Sequence, residues 1–541
     1  MKDHKKVQNQ LLTTFLGMSA AAAGYWLLRN QLMPEVKTLT FNELNETYDV
    51  CIVGSGFAGT IVAKSLAEQG IKTVVLESGK SLLHWFTSSN LKNLAGYETT
   101  GDAAYPTVKT RARVIGGNSN FWTGRCERFH PSDFEAHPYT PENAPWPIRY
   151  ADLEPYYESA EKTLRVGGGE LSKFHPPRKN KLPLPPKNDV SDLKSYMAEI
   201  GVVLDDSPTA MPRKDIRFFR LSNEVLAAAA GKPNFDLITG VTATRIIANP
   251  DRSIDGIEVQ SLRQEKKIVR ARIYVVACGG IETPRLLLLS QSKVFPKGIG
   301  NSFDQVGRGF NEHPGVNFYA KIPHRWSTIV PRHKIGRTHQ FYDLFRKDGL
   351  GSVLPVVIQS WIFPHHLMEN RLSDIPERIN GLAKRVRQAE IYIGATIEMK
   401  PVGSNRVMLS VHRKDYYGNP LPHLHFSYTQ EDLQTLDRTR ALIQSMFEKM
   451  GAQEVRESDV TWSRHHIGTC RMGDNPQTSV VDRNLRVHET SNLYLCGSEV
   501  FVTGAAVPPV LTIAALAHRL ADHIAECIKP GPTTRTAINT I

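Results

Sequence analysis

The chain has 541 residues, 41% hydrophobic and 22% charged, with 39 Gly and 33 Pro spread through it. At roughly 150 residues per unit, that length suggests three or four structural units, and the composition excludes disordered, collagen-like and multi-span membrane classes. Lys plus Arg is 66 against 54 Asp plus Glu, a formal charge of +12, but no long basic block or interleaved aromatic-basic motif occurs, so no nucleic-acid partner is expected.

The first feature along the chain is non-globular. A basic start, Met1 to Lys6, precedes the uncharged stretch Leu11 to Leu28, 18 residues ended by Arg29. At about 1.5 Å per residue it barely reaches across a bilayer. The basic flank, apolar middle and small residues also describe a secretory signal. A signal, a membrane attachment through residues 11–28 and a helix docked on the protein all stay open. A periplasmic, secreted or membrane-anchored location is favoured, with a cytoplasmic one open.

Tyr48 to Val53 (YDVCIV) reads as a buried strand, Gly54 as the start of a tight turn into a helix over Thr60 to Gln69, and Ile71 to Leu76 as a second strand. Strand, turn, helix and strand within about 30 residues make a βαβ unit. Residues 80–125 are polar with glycines. Residues 130–190 are rich in Pro and aromatics, with an extended connection at Leu182 to Lys187. Strand signals return at Phe235 to Ile247, Ile254 to Leu262 and Ile273 to Cys278. From about 310 to 460 alternating segments such as Ala389 to Met399 and Val407 to Val411 predict antiparallel strands, and Asp432 to Met450 has a helical period. Leu493 to Cys496 is a short buried strand, and Leu511 to Ile528 an amphipathic helix.

The predicted class is α/β. Residues 1–34 are read as an apolar N-terminal helix, and a Rossmann-like domain is assembled from 35–130, 220–314 and 465–541. Residues 131–219 connect or form a lid, and 315–464 make an inserted α+β substrate domain with an antiparallel sheet. The six cysteines include no CxxC pair, so neither a disulfide scaffold nor a metal site is expected.

Gly54-Ser55-Gly56-Phe57-Ala58-Gly59 fits GxGxxG between a strand and a helix. The first Gly permits the turn, the second lets backbone approach a pyrophosphate, and the third lets helix and strand pack, with the helix N-terminus facing the anion. Glu77 ends the second strand, placed to accept from a ribose hydroxyl. Two more strand-to-Gly turns, at Gly279-Gly280 and Gly497-Ser498, offer further close approaches and favour the longer cofactor, FAD. Val241 joins the cofactor set.

With these motifs the chain resembles the glucose-methanol-choline (GMC) oxidoreductases, closest in appearance to their bacterial pyranose-oxidase-like branch. The matching stretches are Val50 to Gly79, Arg113 to Gly124 (RVIGGNSNFWTG), Val275 to Leu289, Val306 to Pro314, His465 to Gly473 (HHIGTCRMG) and Ser479 to Leu516. The resemblance implies FAD-dependent oxidation of a sugar or alcohol CH–OH, with oxygen, a quinone or a cytochrome as electron acceptor.

It also implies that Arg113, Gly116, Gly117, Asn118, Ser119, Asn120, Phe121 and Trp122 wrap the flavin end. Phe121 stands where some relatives carry a histidine bonded to flavin, so the FAD is expected to be non-covalent. His465, with Gly468-Thr469, matches the histidine beside flavin N5, and an imidazole with a pKa near ~6.5 suits removal of a hydroxyl proton. His466 is the alternative base.

Pro508, with Pro509 and Val510 on the cofactor side, occupies the family's second catalytic Asn or His. His466, Asn311 or His313 could fill the missing role. The departure leaves isomerase- or lyase-like chemistry, or a non-catalytic membrane-attached flavin-binding subunit, as alternatives.

Overall fold

The computed structural model describes residues 36–528 apart from 45–46, 103–110, 143, 187–188, 213–220, 323–333 and 361–389. The apolar stretch 11–28 lies outside the described residues, within which no helix is long and apolar enough to cross a membrane.

One sheet is built from distant segments, in the order Phe235–Thr239, Thr73–Glu77, Thr47–Val53 and Lys266–Val276, all neighbours parallel. Leu493–Leu495 adds a further parallel pairing on Lys266–Val276. Strands covered on both faces need apolar residues at every position rather than alternation. The run Val50 to Val53 is buried throughout, as is all of Thr73–Glu77.

The helices Phe57–Glu68, Tyr150–Thr163 and Val510–Ile528 share this core, and His518 ties them together. Its ring nitrogens lie 3.3 Å from Ser65 Oγ and 3.0 Å from Thr163 Oγ1. On the other side Ile254–Ser261 and Val241–Ala248 extend the sheet antiparallel. The single strand signal expected over 235–247 is thus two strands, because Gly240 adopts φ 73° and breaks the run.

The second sheet runs Gln453–Glu457, Pro314–Lys321, Glu390–Ile397, Val353–Ser360, Lys334–Arg337 and Asp205–Asp206, antiparallel throughout. Its residues alternate between two faces, as the pleat dictates. Val316, Phe318, Val357, Ile391 and Ile393 pack against Leu436, Ile443 and Phe447 of helix Gln430–Met450. Gly315, Asn317, Val356, Ile358 and Tyr392 face the opposite way, into a cavity shared with the first sheet. The α/β architecture, with one sheet assembled from separated segments and an antiparallel sheet beside it, is the one expected from the sequence.

Candidate active site

The parallel strands end together. Val53 pairs with both Leu76 and Val276, and Val276 with Leu495, so the turns that follow converge at the carboxyl edge. Ligands of such sheets bind there, and a cavity of about 770 Å³ opens at this edge. Gly54 has φ +100°, and a Cβ on it would lie 2.6 Å from the Ala277 carbonyl oxygen. A Cβ on Gly59 would lie 2.0 Å from the Gly54 oxygen, so that glycine seats helix on turn rather than touching the cavity. Gly56 and Gly279 are different, because a Cβ there would enter open space.

Gly54, Ser55, Gly56, Phe57 and Ala58 line the cavity at the N-terminus of helix Phe57–Glu68, where unpaired N–H groups favour an anion. Glu77 accepts from Ser55 N at 3.2 Å, Ser55 Oγ at 2.7 Å and Gly79 N at 2.9 Å. Burial raises its pKa, and these hydrogen bonds oppose that rise. Ser78 Oγ makes a fourth, longer contact at 3.4 Å, so the roughly four acceptor positions of the carboxylate are filled and this weakest bond is the one a ligand hydroxyl would displace.

Opposite this turn the 111–125 segment supplies Arg113, Gly117, Asn118, Phe121 and Trp122 to the cavity wall. Gly116, Ser119 and Asn120 support it from behind. Gly116 N donates to Ser55 Oγ at 3.0 Å, Ser119 Oγ to the Gly116 oxygen at 2.7 Å, and Asn120 Nδ2 to the Ile115 oxygen at 3.0 Å. Trp122 packs edge-on to Phe57, ring centres 4.6 Å apart. Val241, Gly279, Gly497, Ser498, Pro508, Pro509 and Val510 also line the cavity.

Sequence reasoning missed the ionic frame beneath. Glu282 pairs with Arg111, with Arg113 at 3.1 Å and with Arg285 at 3.2 Å. Burial opposes its ionisation, but the three guanidiniums prevail and hold it at about 2. Glu282 and Arg285 sit just after the Gly279-Gly280 turn, on a helix (Gly279–Leu289) that the sequence showed only as a strand end with glycines.

His465 and His313 meet at the far end. Their Nδ1 atoms are 2.8 Å apart, and His313 Nε2 lies 3.0 Å from the Gly504 carbonyl oxygen. The tautomers follow from these partners. A carbonyl only accepts, so His313 Nε2 carries the hydrogen, and the Nδ1 of a neutral His313 accepts from His465 Nδ1–H. His465 Nε2 is then the lone-pair nitrogen.

Burial draws the His313 pKa down to about 4. It draws His465 well below the ordinary value, with His313, His466 and Arg337 adding to the effect. Both rings line the cavity. His466 also lines it, drawn down to about 3 by burial and then by Arg111, and its carbonyl accepts from Ser498 Oγ at 2.7 Å.

The loop carrying His465 is anchored by Glu312, fully buried. Its carboxylate accepts from His313 N at 2.9 Å, His465 N at 2.5 Å and Arg464 N at 2.7 Å. Arg464 is held at φ 67° and Ala505 at φ 56°, two left-handed residues flanking the histidine pair, the sort of strain that collects at active sites.

Pro508 and Pro509 precede helix Val510–Ile528, where the missing N–H costs nothing. Asn311 is tied to the Gly309 oxygen at 3.0 Å and does not reach the cavity. Of the three residues considered for the vacant role, His313 is the one beside His465.

Known proteins match along the chain. Two family models described as GMC oxidoreductase cover 208–315 and 401–517, and an FAD binding domain model covers 47–88. The chain is similar to 6'''-hydroxyparomomycin C oxidase of Streptomyces lividus, 28% identical over 89% of this chain and 92% of the relative. It is similar to the fructose dehydrogenase large subunit of Gluconobacter japonicus, 26% identical over 90% of this chain and 100% of the relative. Among solved structures it resembles pyridoxine 4-oxidase from Mesorbium loti, with a TM-score of 0.61 and 20% identity over 88% of this chain and 99% of that one.

Proposed function

Because the chain belongs to the GMC oxidoreductases, we propose that it oxidises a CH–OH group of a sugar or other alcohol to a carbonyl, with FAD as cofactor and His465 as base. The observation that carries this reading is the ordered pair His465–His313, with His465 Nε2 left as an acceptor in the cavity.

The cavity suits FAD. Gly56 and Gly279 leave open space where any side chain would intrude. The first turn of helix Phe57–Glu68 would hold the pyrophosphate, Glu77 the ribose hydroxyls, and residues 117–122 with Gly497 and Ser498 the flavin end. FAD supplies the hydride acceptor. Phe121, at the position where some relatives carry a flavin-bonding histidine, has no nucleophilic atom, so FAD would be held non-covalently, and acid precipitation should release it.

The protein's part is proton handling. His465 Nε2 takes the hydroxyl proton while its Nδ1–H stays on His313. The Gly504 carbonyl fixes His313 in the accepting tautomer, much as a third group orients the histidine of a hydrolase triad. His313 removes the reason for reading Pro508 as a loss of redox chemistry. It makes the isomerase-like and non-catalytic alternatives unnecessary.

Relatives named as oxidases and as dehydrogenases share this scaffold, and oxygen, a quinone or a cytochrome takes the electrons. Residues 11–28 would attach the enzyme to a membrane, a point that fractionation of the full chain tests. Anaerobic mixing with a panel of sugars and alcohols should bleach the flavin absorbance. Carbonyl product formed with no bleaching and no acceptor consumed would overturn the oxidative reading.

A further inference from the structure

Two arginines stand at the histidine end of the cavity, away from the Glu282 frame. Arg337 ends strand Lys334–Arg337 and pairs in register with Val356, so its side chain shares the cavity-facing side of the sheet. Arg125 follows the 117–122 segment and donates to Thr209 Oγ1 at 2.8 Å. Both line the cavity.

Their charges are under-compensated among the described residues. Glu127 is the one carboxylate at ion-pair distance from Arg337, its Oε1 3.2 Å from Arg337 Nε and accepting from Ser207 Oγ at 2.6 Å, while Asp205, the register partner of Arg337, has its carboxylate engaged by Ser172 and His175. The two guanidiniums therefore share Glu127 as their direct counter-ion. Arg337 is 9% exposed, yet its Nη1 has no hydrogen-bond partner among the described residues. Burial, then the charge of Arg337, draws the Arg125 pKa down to about 10. The nearby His313, His465 and His466 supply no counter-charge in either protonation state. A buried charge lacking a partner is costly, and a planar guanidinium matches a carboxylate or phosphate in two-point geometry.

We infer that Arg125 and Arg337 form an anion subsite, and that the preferred substrate is an alcohol carrying an acidic group, such as a sugar acid or sugar phosphate. The inference rests on the oxidative reading above for the word substrate, but not for the binding itself. The anionic group sits between the guanidiniums and presents a hydroxyl-bearing carbon towards His465.

The test uses the FAD-loaded enzyme and matched compounds: a neutral sugar alcohol, the corresponding sugar acid and the corresponding phosphate. Perturbation of the flavin spectrum reads binding, and anaerobic bleaching reads oxidation. The acid or the phosphate should bind at least about 10-fold more tightly than the neutral partner, with the advantage shrinking as salt rises. Whichever binds more tightly identifies the group.

Arg337→Gln and, separately, Arg125→Gln should weaken acid binding by roughly 10 to 100-fold more than neutral binding. Arg337→Lys should recover part of the loss. Equal affinity for neutral and acidic partners, or variants that weaken both alike, would overturn the subsite and point to charge facing the cofactor instead. An acid that binds tightly without bleaching keeps the subsite and overturns its oxidation. A neutral alcohol that bleaches with no acid preference does the reverse.

Discussion

Glu312→Gln isolates what holds the base in place. The carboxylate is fully buried and accepts three backbone N–H groups, from His313, Arg464 and His465. An amide retains one oxygen. Placed at the Oε1 position, it keeps the His313 and His465 bonds but turns its NH₂ towards Arg464 N–H. One charge-assisted bond is lost, the Arg464 N–H faces a second donor, and the other two bonds weaken with the charge. The cost should be about 2 to 4 kcal/mol. The loop can relieve part of it by moving His465, and a displacement near 1 Å can cost about 10²-fold in rate. Flavin-release melting reads the stability, and anaerobic stopped-flow reduction reads the rate. Stability within about 0.5 kcal/mol of the parent, together with an unchanged reduction rate, would refute the reasoning.

His313→Leu removes the acceptor for His465 Nδ1–H. Flavin content should persist while reduction slows by about 10 to 100-fold, and a parent-like rate would show that the tautomer needs no support. The pH dependence of kcat/KM follows from the direction of the His465 shift. A lowered pKa keeps the base neutral below the ordinary value of about 6.5, so the acid limb should fall below pH 6.5. A limb above that value, seen with a non-titrating substrate, would contradict the burial argument. Stability has the same sign. His313 is drawn down to about 4 and His466 to about 3, so below about pH 6.5 the unfolded chain takes up protons that the folded one refuses. Melting temperature should therefore drop between pH 6.5 and 4, and a drop confined to alkaline pH would count against it.

The cofactor half of the molecule was legible because its constraints are local. GxGxxG sits between strand Thr47–Val53 and helix Phe57–Glu68, and buried parallel strands announce themselves as continuous apolar runs. Helix Tyr150–Thr163 was hidden by its tyrosines and the internal Pro155. The partnership of His465 with His313 spans 152 positions, and no spacing rule reports a contact made by two loops of different segments. Arg337 was invisible for the same reason, since its meaning comes from the sheet face it shares with Val356 and from its distance to Glu127. The departure at Pro508 could be seen in the sequence, but its answer, His313, needed the fold.

The central claim is that His465 removes the hydroxyl proton. Anaerobic flavin reduction by the best alcohol of the panel should be measured for the parent and for His465→Asn, each with its FAD content verified. A positioned base contributes about 10² to 10⁴-fold, so the variant should keep FAD and reduce it slower by at least about 10²-fold, with the acid limb of the pH profile abolished. A loaded variant that reduces at the parent rate with the same pH profile would contradict the account.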